Sequence, residues 1–286
     1  MTEVAVLGSK GQLGQSILYS VTKNEKEGFK FFSREDIDIT KKTDLDNFFS
    51  KNHFRYCINC AAYTNVDGAE KNIEDAFLIN SEGAKNIAEV CKKYNIVLIH
   101  ISTDYVFDGE STTPYKTTDF TNPINQYGKS KLQGEQYIES ILTNYYIIRT
   151  SWLYSEYGRN FVKTILRLAS EKEELSVVND QTGSPTYAGD LAHFIIHIIR
   201  HNKGLYGLYH FSNSGKTSWC TFAKKILELS NNTSTLIKPL RSKDFKTEAI
   251  RPKNSVLDNT KAINTFKFET LNWETSLKHN IDKFLY

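Results

Sequence analysis

Continuous apolar runs of five to eight residues recur through the first half of the chain, at EVAVL (3–7), FKFFS (29–33), YCINCAA (56–62), VLIHIST (97–103) and YYIIRTSW (145–152). Runs of this length with no polar alternation predict strands covered on both faces. Between them lie segments with apolar residues at helical spacing, predicting helices over about 12–24, 74–94 and 125–140. Strand, helix and strand in turn require crossover connections and hence a parallel α/β sheet.

The alternation loosens after residue 155. Helices are expected at 159–171, 189–201 and 218–229, and short strands near 175–179 and 207–212. The chain therefore divides into residues 1–155, completed by later segments near 175–205, and a smaller lobe formed mainly by 156–286. A length of 286 residues suits one large domain with an appended lobe.

Composition narrows the class. With 36 Lys+Arg against 33 Asp+Glu the formal charge is +3, and no block of like charge supplies the basic stripe of a nucleic-acid binder. A mean hydropathy of −0.45, with no apolar run near the ~20 residues of a membrane span, argues against a membrane protein. The start MTEVAVLG reads as a first strand, not a signal peptide, and the four scattered cysteines suit a reducing, cytoplasmic compartment.

The candidate chemistry gathers at strand ends. Gly8, Gly11 and Gly14 follow the first strand and open the first helix, where backbone must approach a pyrophosphate. The second strand ends in Ser33-Arg34-Glu35-Asp36; a serine and a cation before the carboxylates lean toward NADPH, with NADH also accommodated. Ser102, Thr103 and Asp104 arrive at the end of the fourth strand, and alternation lets only one hydroxyl face a substrate, taken to be Thr103. Tyr127 and Lys131, four apart on one helical face, place an ammonium beside a phenol, which is expected to pull the phenol pKa toward neutrality.

GSKGQLG (8–14), NCAAYTNVDGAE (59–70), STDYVFDG (102–109), NQYGKSKLQGE (125–135), RTSWLY (149–154), NDQTGSPTYAGDLA (179–192) and RPKNS (251–255) together resemble the extended short-chain dehydrogenase/reductases, within them the reductases of dTDP-linked 4-keto-6-deoxysugars. The resemblance implies a Rossmann-type doubly wound parallel sheet holding NAD(P)H, a smaller C-terminal lobe holding the dTDP-sugar, and hydride transfer to a C4 ketone, with dTDP-L-rhamnose the expected product. It implies that Thr103 bonds the C4 oxygen, Tyr127 donates the proton, and Lys131 binds the nicotinamide ribose. Gly11, Gln12 and Leu13 would wrap the pyrophosphate, Asp38 and Ile39 would contact the adenine, and Ala62, Tyr63 and Thr64 would line the cofactor cleft. Asp104 and Trp152 would meet the sugar, with Asn160, Gln181 and Arg251 as nucleotide or phosphate contacts.

Nucleotide-sugar dehydratases carry Asp-Glu after the threonine; here Asp104 is followed by Tyr105, which favours reduction over water elimination. The same resemblance extends to reductases of other 4-ketosugars and to a non-catalytic NADP-binding module, the β subunit of methionine adenosyltransferase. Some of these reductases hold a divalent metal between subunits with glutamates; the corresponding positions are Gln15 and Gly189, so no metal is expected, and monomer and homodimer stay open. His193, His197 and His201 read as the polar stripe of an amphipathic helix, and Cys57 and Cys60 as residues on opposite strand faces.

Overall fold

The computed structural model describes residues 3–21, 28–201 and 203–285. In chain order the first half runs β1 (Val4–Leu7), α1 (Gln12–Ser20), β2 (Phe29–Phe32), α2 (Lys42–Lys51), β3 (Tyr56–Asn59), α3 (Val66–Lys71), α4 (Ile73–Phe77), α5 (Gly83–Lys93), β4 (Val97–Thr103), α6 (Gln126–Ile141) and β5 (Tyr145–Thr150). The second half adds β6 (Leu153–Tyr154), α7 (Phe161–Glu171), β7 (Glu174–Val178), β8 (Thr182–Gly183), β9 (Thr186–Tyr187), α8 (Ala188–Arg200), β10 (Gly207–His210), β11 (Thr217–Ser218), α9 (Trp219–Leu229), β12 (Leu236–Leu240), α10 (Thr260–Phe266) and α11 (Trp273–Asn280). The expected end of the first helix near residue 24 lies outside the described residues.

Six parallel strands form one sheet in the order β2-β1-β3-β4-β5-β10. Their apolar runs follow from double coverage. Val4, Val6, Ile58, Ile99 and Ile148 face α1 and α8 in one core, while Ala5, Leu7, Cys57, Leu98 and Ile147 face α5 and α6 in another. Cys57 and Cys60 fall on these opposite sides, as strand alternation requires. Successive connections leave β1 first toward β2 and then toward β3, so the C-terminal ends of β1 and β3 flank the switch point at which doubly wound sheets bind ligands.

The later strands depart from expectation. Residues 174–178 join β12 in a separate two-stranded sheet, not the large one, and the sixth strand of the large sheet is β10, beyond residue 205. The reason is packing: Leu175 and Val177 belong to a third core with Ile165, Phe222, Ile226 and Leu277 from α7, α9 and α11. The helix predicted over 74–94 is interrupted by a π turn at Leu78–Glu82, which turns Asn80 inward. On α8, His197 bonds the Phe266 carbonyl at 2.9 Å through Nε2, and His193 and His201 are exposed. Among the described residues no helix is long and apolar enough to cross a membrane.

Candidate active site

The glycine loop fits bare backbone against the switch point. Gly8 sits at φ +78°, and a Cβ there would lie 2.6 Å from the Ala61 nitrogen; a Cβ at Gly14 would lie 2.6 Å from the Gly8 oxygen. The N-cap of α1 is Gly11, with no side chain bonded to the helix's first amides, so these remain open to an anion. A cavity of about 320 Å³ opens here, lined by Gly8, Gly11, Ser33, Arg34, Asp38, Ile39 and Ala62 of the predicted set. Open amides and glycines that no side chain could replace fit the pyrophosphate of a dinucleotide.

Lys10, absent from the sequence-based set, also lines this cavity and lies 2.7 Å from Glu35. Lys10 and the Ser33 hydroxyl hold the Glu35 carboxyl down to about 2. Ser33 Oγ donates to Glu35 at 2.6 Å and to Asp36 at 2.7 Å, and Arg34, 75% exposed, is 3.6 Å from Asp38. The mouth is thus mixed in charge. The Leu13 side chain is buried in the core, leaving its backbone to face the loop. Gln12 Oε1 accepts from Ser155 at 3.1 Å and from Asn160 Nδ2 at 3.0 Å, joining the glycine loop to the smaller lobe. Asn80 clamps the Tyr63 backbone, accepting from its N–H at 2.8 Å and donating to its carbonyl at 3.0 Å; Thr64 is exposed.

α6 brings the catalytic candidates together. Asn125 caps it by accepting the Gly128 N–H at 2.8 Å, and Gly128 lies so close to the Tyr105 carbonyl that a Cβ would not fit. This seat brings the Tyr127 phenol within electrostatic reach of Thr103 and Asp104, both of which act on its pKa. The Thr103 hydroxyl also bonds Asp104 Oδ1 at 3.1 Å and accepts the Tyr105 N–H at 3.1 Å, while Asp104 Oδ2 is buried with no partner. Burial pushes Asp104 up to about 7, against opposing hydrogen bonds from Ser255 and Thr103. The Tyr105 ring meets Tyr127 edge-on at 5.9 Å.

Lys131 corrects the sequence reading. Its Nζ donates to the Ile101 carbonyl at 2.6 Å and lies 3.3 Å from His100 Nε2, and burial lowers it to about 8. Tyr127 is not drawn toward neutrality: burial pushes it up to about 12, with Asp104 adding to the rise and the Thr103 hydrogen bond opposing it. Helical spacing puts the two residues on one face, but the lysine nitrogen turns to β4 instead of the phenol.

Trp152 sits at φ +46°, its indole stacked on Trp219 at 3.4 Å and 6° and covering Gly183, where a Cβ would run into the ring. Residues 251–255 tie this wall toward the catalytic group: Thr182 N–H donates to Lys253 O at 2.7 Å, Ser255 N–H donates to Thr182 O at 2.8 Å, and Ser255 acts on the Asp104 pKa. Arg251 grips Asp67 at 3.1 and 2.6 Å and donates to the Ala249 carbonyl at 3.1 Å. Gln181 donates to Ser242 at 3.0 Å, and Asn160 caps α7. Thr103, Asp104, Tyr127 and Lys131 thus converge, with Trp152 and Arg251 alongside, whereas the Gln181 and Asn160 side chains are engaged inside the protein. Sequence reasoning passed over Asp67, Asn80 and His100; a histidine inside an apolar strand was the one available signal.

The family model described as RmlD substrate binding domain matches residues 1–286. A dTDP-4-dehydrorhamnose reductase of Aggregatibacter actinomycetemcomitans is 37% identical over 98% of both chains. Among solved structures, a dTDP-4-dehydrorhamnose reductase of Clostridium acetobutylicum superposes with a TM-score of 0.95 at 37% identity over all of both chains. One from Bacillus anthracis, in complex with NADP, gives 0.92 at 40% identity over 100% of this chain and 99% of its own.

Proposed function

The chain belongs to the family of the RmlD substrate binding domain, and on that premise we propose that it reduces the C4 ketone of dTDP-4-dehydro-β-L-rhamnose to dTDP-L-rhamnose, with NADPH or NADH as reductant. The observation that carries the reading is the gathering of Thr103, Asp104 and Tyr127 within electrostatic reach of one another, with Lys131 one turn along α6, next to a glycine cradle that fits a dinucleotide.

When bound, the nicotinamide supplies the hydride to C4. Thr103 and Tyr127 bracket the ketone oxygen, and the Tyr127 phenol, protonated throughout the neutral range, donates its proton there as the alkoxide develops. Lys131, titrating near 8, is mostly charged at neutral pH; it would bind the nicotinamide ribose and favour the phenolate left on Tyr127. A phenol in place of a carboxylate at Tyr105 disfavours the elimination of water. The backbone of Gly8, Gly11, Gln12 and Leu13 would hold the pyrophosphate, Ser33, Arg34, Asp38 and Ile39 would face the adenosine, and Ala62, Tyr63 and Thr64 would line the cleft. Trp152 would form the sugar-facing wall, with Arg251 toward the nucleotide. The 1–155 segment carries the cofactor and the 156–286 lobe the sugar nucleotide.

The test is loss of reduced-nicotinamide absorbance with dTDP-4-dehydro-L-rhamnose as substrate and identification of the product by NMR. Oxidation giving dTDP-L-rhamnose is expected. Cofactor binding without turnover of this or any related ketosugar would overturn the reading in favour of a binding module.

A further inference from the structure

His100 lies on β4, 1% exposed, and each ring nitrogen has one side-chain neighbour: Asn59 Nδ2 is 3.1 Å from Nδ1, and Lys131 Nζ is 3.3 Å from Nε2. Asn59 is oriented by its own bond, since its Oδ1 accepts the Ala61 N–H at 3.0 Å, which turns its NH2 toward the ring. Nδ1 must therefore accept. Burial holds His100 well below its ordinary pKa, and a neutral imidazole carries one proton, which is left to Nε2 and points at Lys131. An N–H aimed at an ammonium opposes two donors; aimed at a neutral amine it meets a lone pair.

We propose that His100, locked by Asn59 as the Nε2–H tautomer, is a positioning residue that donates to the Lys131 amine and so sets the pH at which that amine takes up its proton. The proposal rests on Lys131 belonging to the catalytic group. Two other titratable groups act on Lys131. The Cys60 thiol, at the end of β3, is kept protonated by burial, and Glu135, one turn along α6, is neutralised by Arg149 at 2.9 and 2.6 Å. For Lys131 to be charged and keep the ring contact, His100 must change tautomer and give up Asn59. Asn59→Asp reverses the lock: a carboxylate accepts from Nδ1–H and leaves Nε2 to accept from the ammonium, with the two buried charges balanced.

The experiment is a long-range ¹⁵N–¹H spectrum of histidine-labelled protein, with His100 assigned from the signals missing in His100→Phe, together with the pH profile of kcat/KM. Above about pH 8, where the Lys131 amine is neutral, the unaltered protein is expected to show the Nε2-protonated pattern. Asn59→Asp is expected to show the Nδ1-protonated pattern, with the alkaline limb of ketone reduction moved upward by about one pH unit, a tenfold change in the charged fraction's ratio. An Nδ1-protonated or doubly protonated ring in the unaltered protein above that pH overturns the proposal, as does a switched tautomer with an unmoved limb. Should Asn59→Asp not fold, the unaltered spectrum decides alone. The spectrum needs no turnover, so an inactive protein with the expected tautomer would refute the reductase reading and leave the tautomer lock standing.

Discussion

Asp104 offers the clearest physical test, because its carboxyl is buried and one of its oxygens has no partner. Its folded pKa of about 7 stands above the ordinary 3.8, so between those values the folded protein keeps a proton that the unfolded chain has released. Stability must then fall as pH rises through that interval and level off above it. At about 1.4 kcal/mol per pH unit, the gap amounts to about 4 kcal/mol at most. Asp104→Asn keeps an acceptor for Thr103 and cannot ionise, so it removes this slope. Urea unfolding of both proteins at several pH values between about 4 and about 8 should show the variant gaining on the parent by up to that amount. His100 titrates in both proteins and cancels in the difference, and Lys131, with its lowered pKa, adds stability only as pH rises beyond about 8. Parallel pH dependences for the two proteins would refute the claim that Asp104 is protonated by burial.

Three further outcomes follow from the site. Tyr127→Phe should lower kcat about 10²–10⁴-fold while dinucleotide binding, followed by fluorescence titration, is unchanged; turnover within tenfold of the parent would remove Tyr127 as the proton donor. Arg34→Ala should weaken NADPH more than NADH by about 1–3 kcal/mol if the exposed guanidinium bonds the 2′-phosphate, and equal losses in calorimetric titrations would show that it does not. Gly183→Ala drives a methyl into the Trp152 indole, which Trp219 backs, and should cost about 1–3 kcal/mol in urea unfolding and raise KM for the ketosugar; a variant unchanged in both would contradict the contact.

The large sheet was legible in the chain because burial on both faces writes itself as continuous apolar runs, as in VAVL of β1 and VLIHIST of β4. The strand at 174–178 was equally visible, but its partner was not: pairing with β12 is decided by the third core, whose members are more than a hundred residues apart. At the site, periodicity places Tyr127 and Lys131 on one face, yet it carries no information on where a four-carbon side chain directs its nitrogen, and burial reversed the expected shift of the phenol. The left-handed backbone at Trp152 and the Arg251–Asp67 clamp, spanning 184 residues, arise wholly from tertiary packing.

The parallel indoles of Trp152 and Trp219 have an optical consequence. Two of the chain's three tryptophans lie face to face at 3.4 Å, close enough for their excited states to couple, while Trp273 is sequestered in the core of the smaller lobe. The near-ultraviolet circular dichroism of the protein therefore carries a distinct contribution from this stacked pair. A ligand that slides one indole against the other rewrites that spectrum, so the chain carries its own unlabelled reporter of pocket occupancy, readable without turnover.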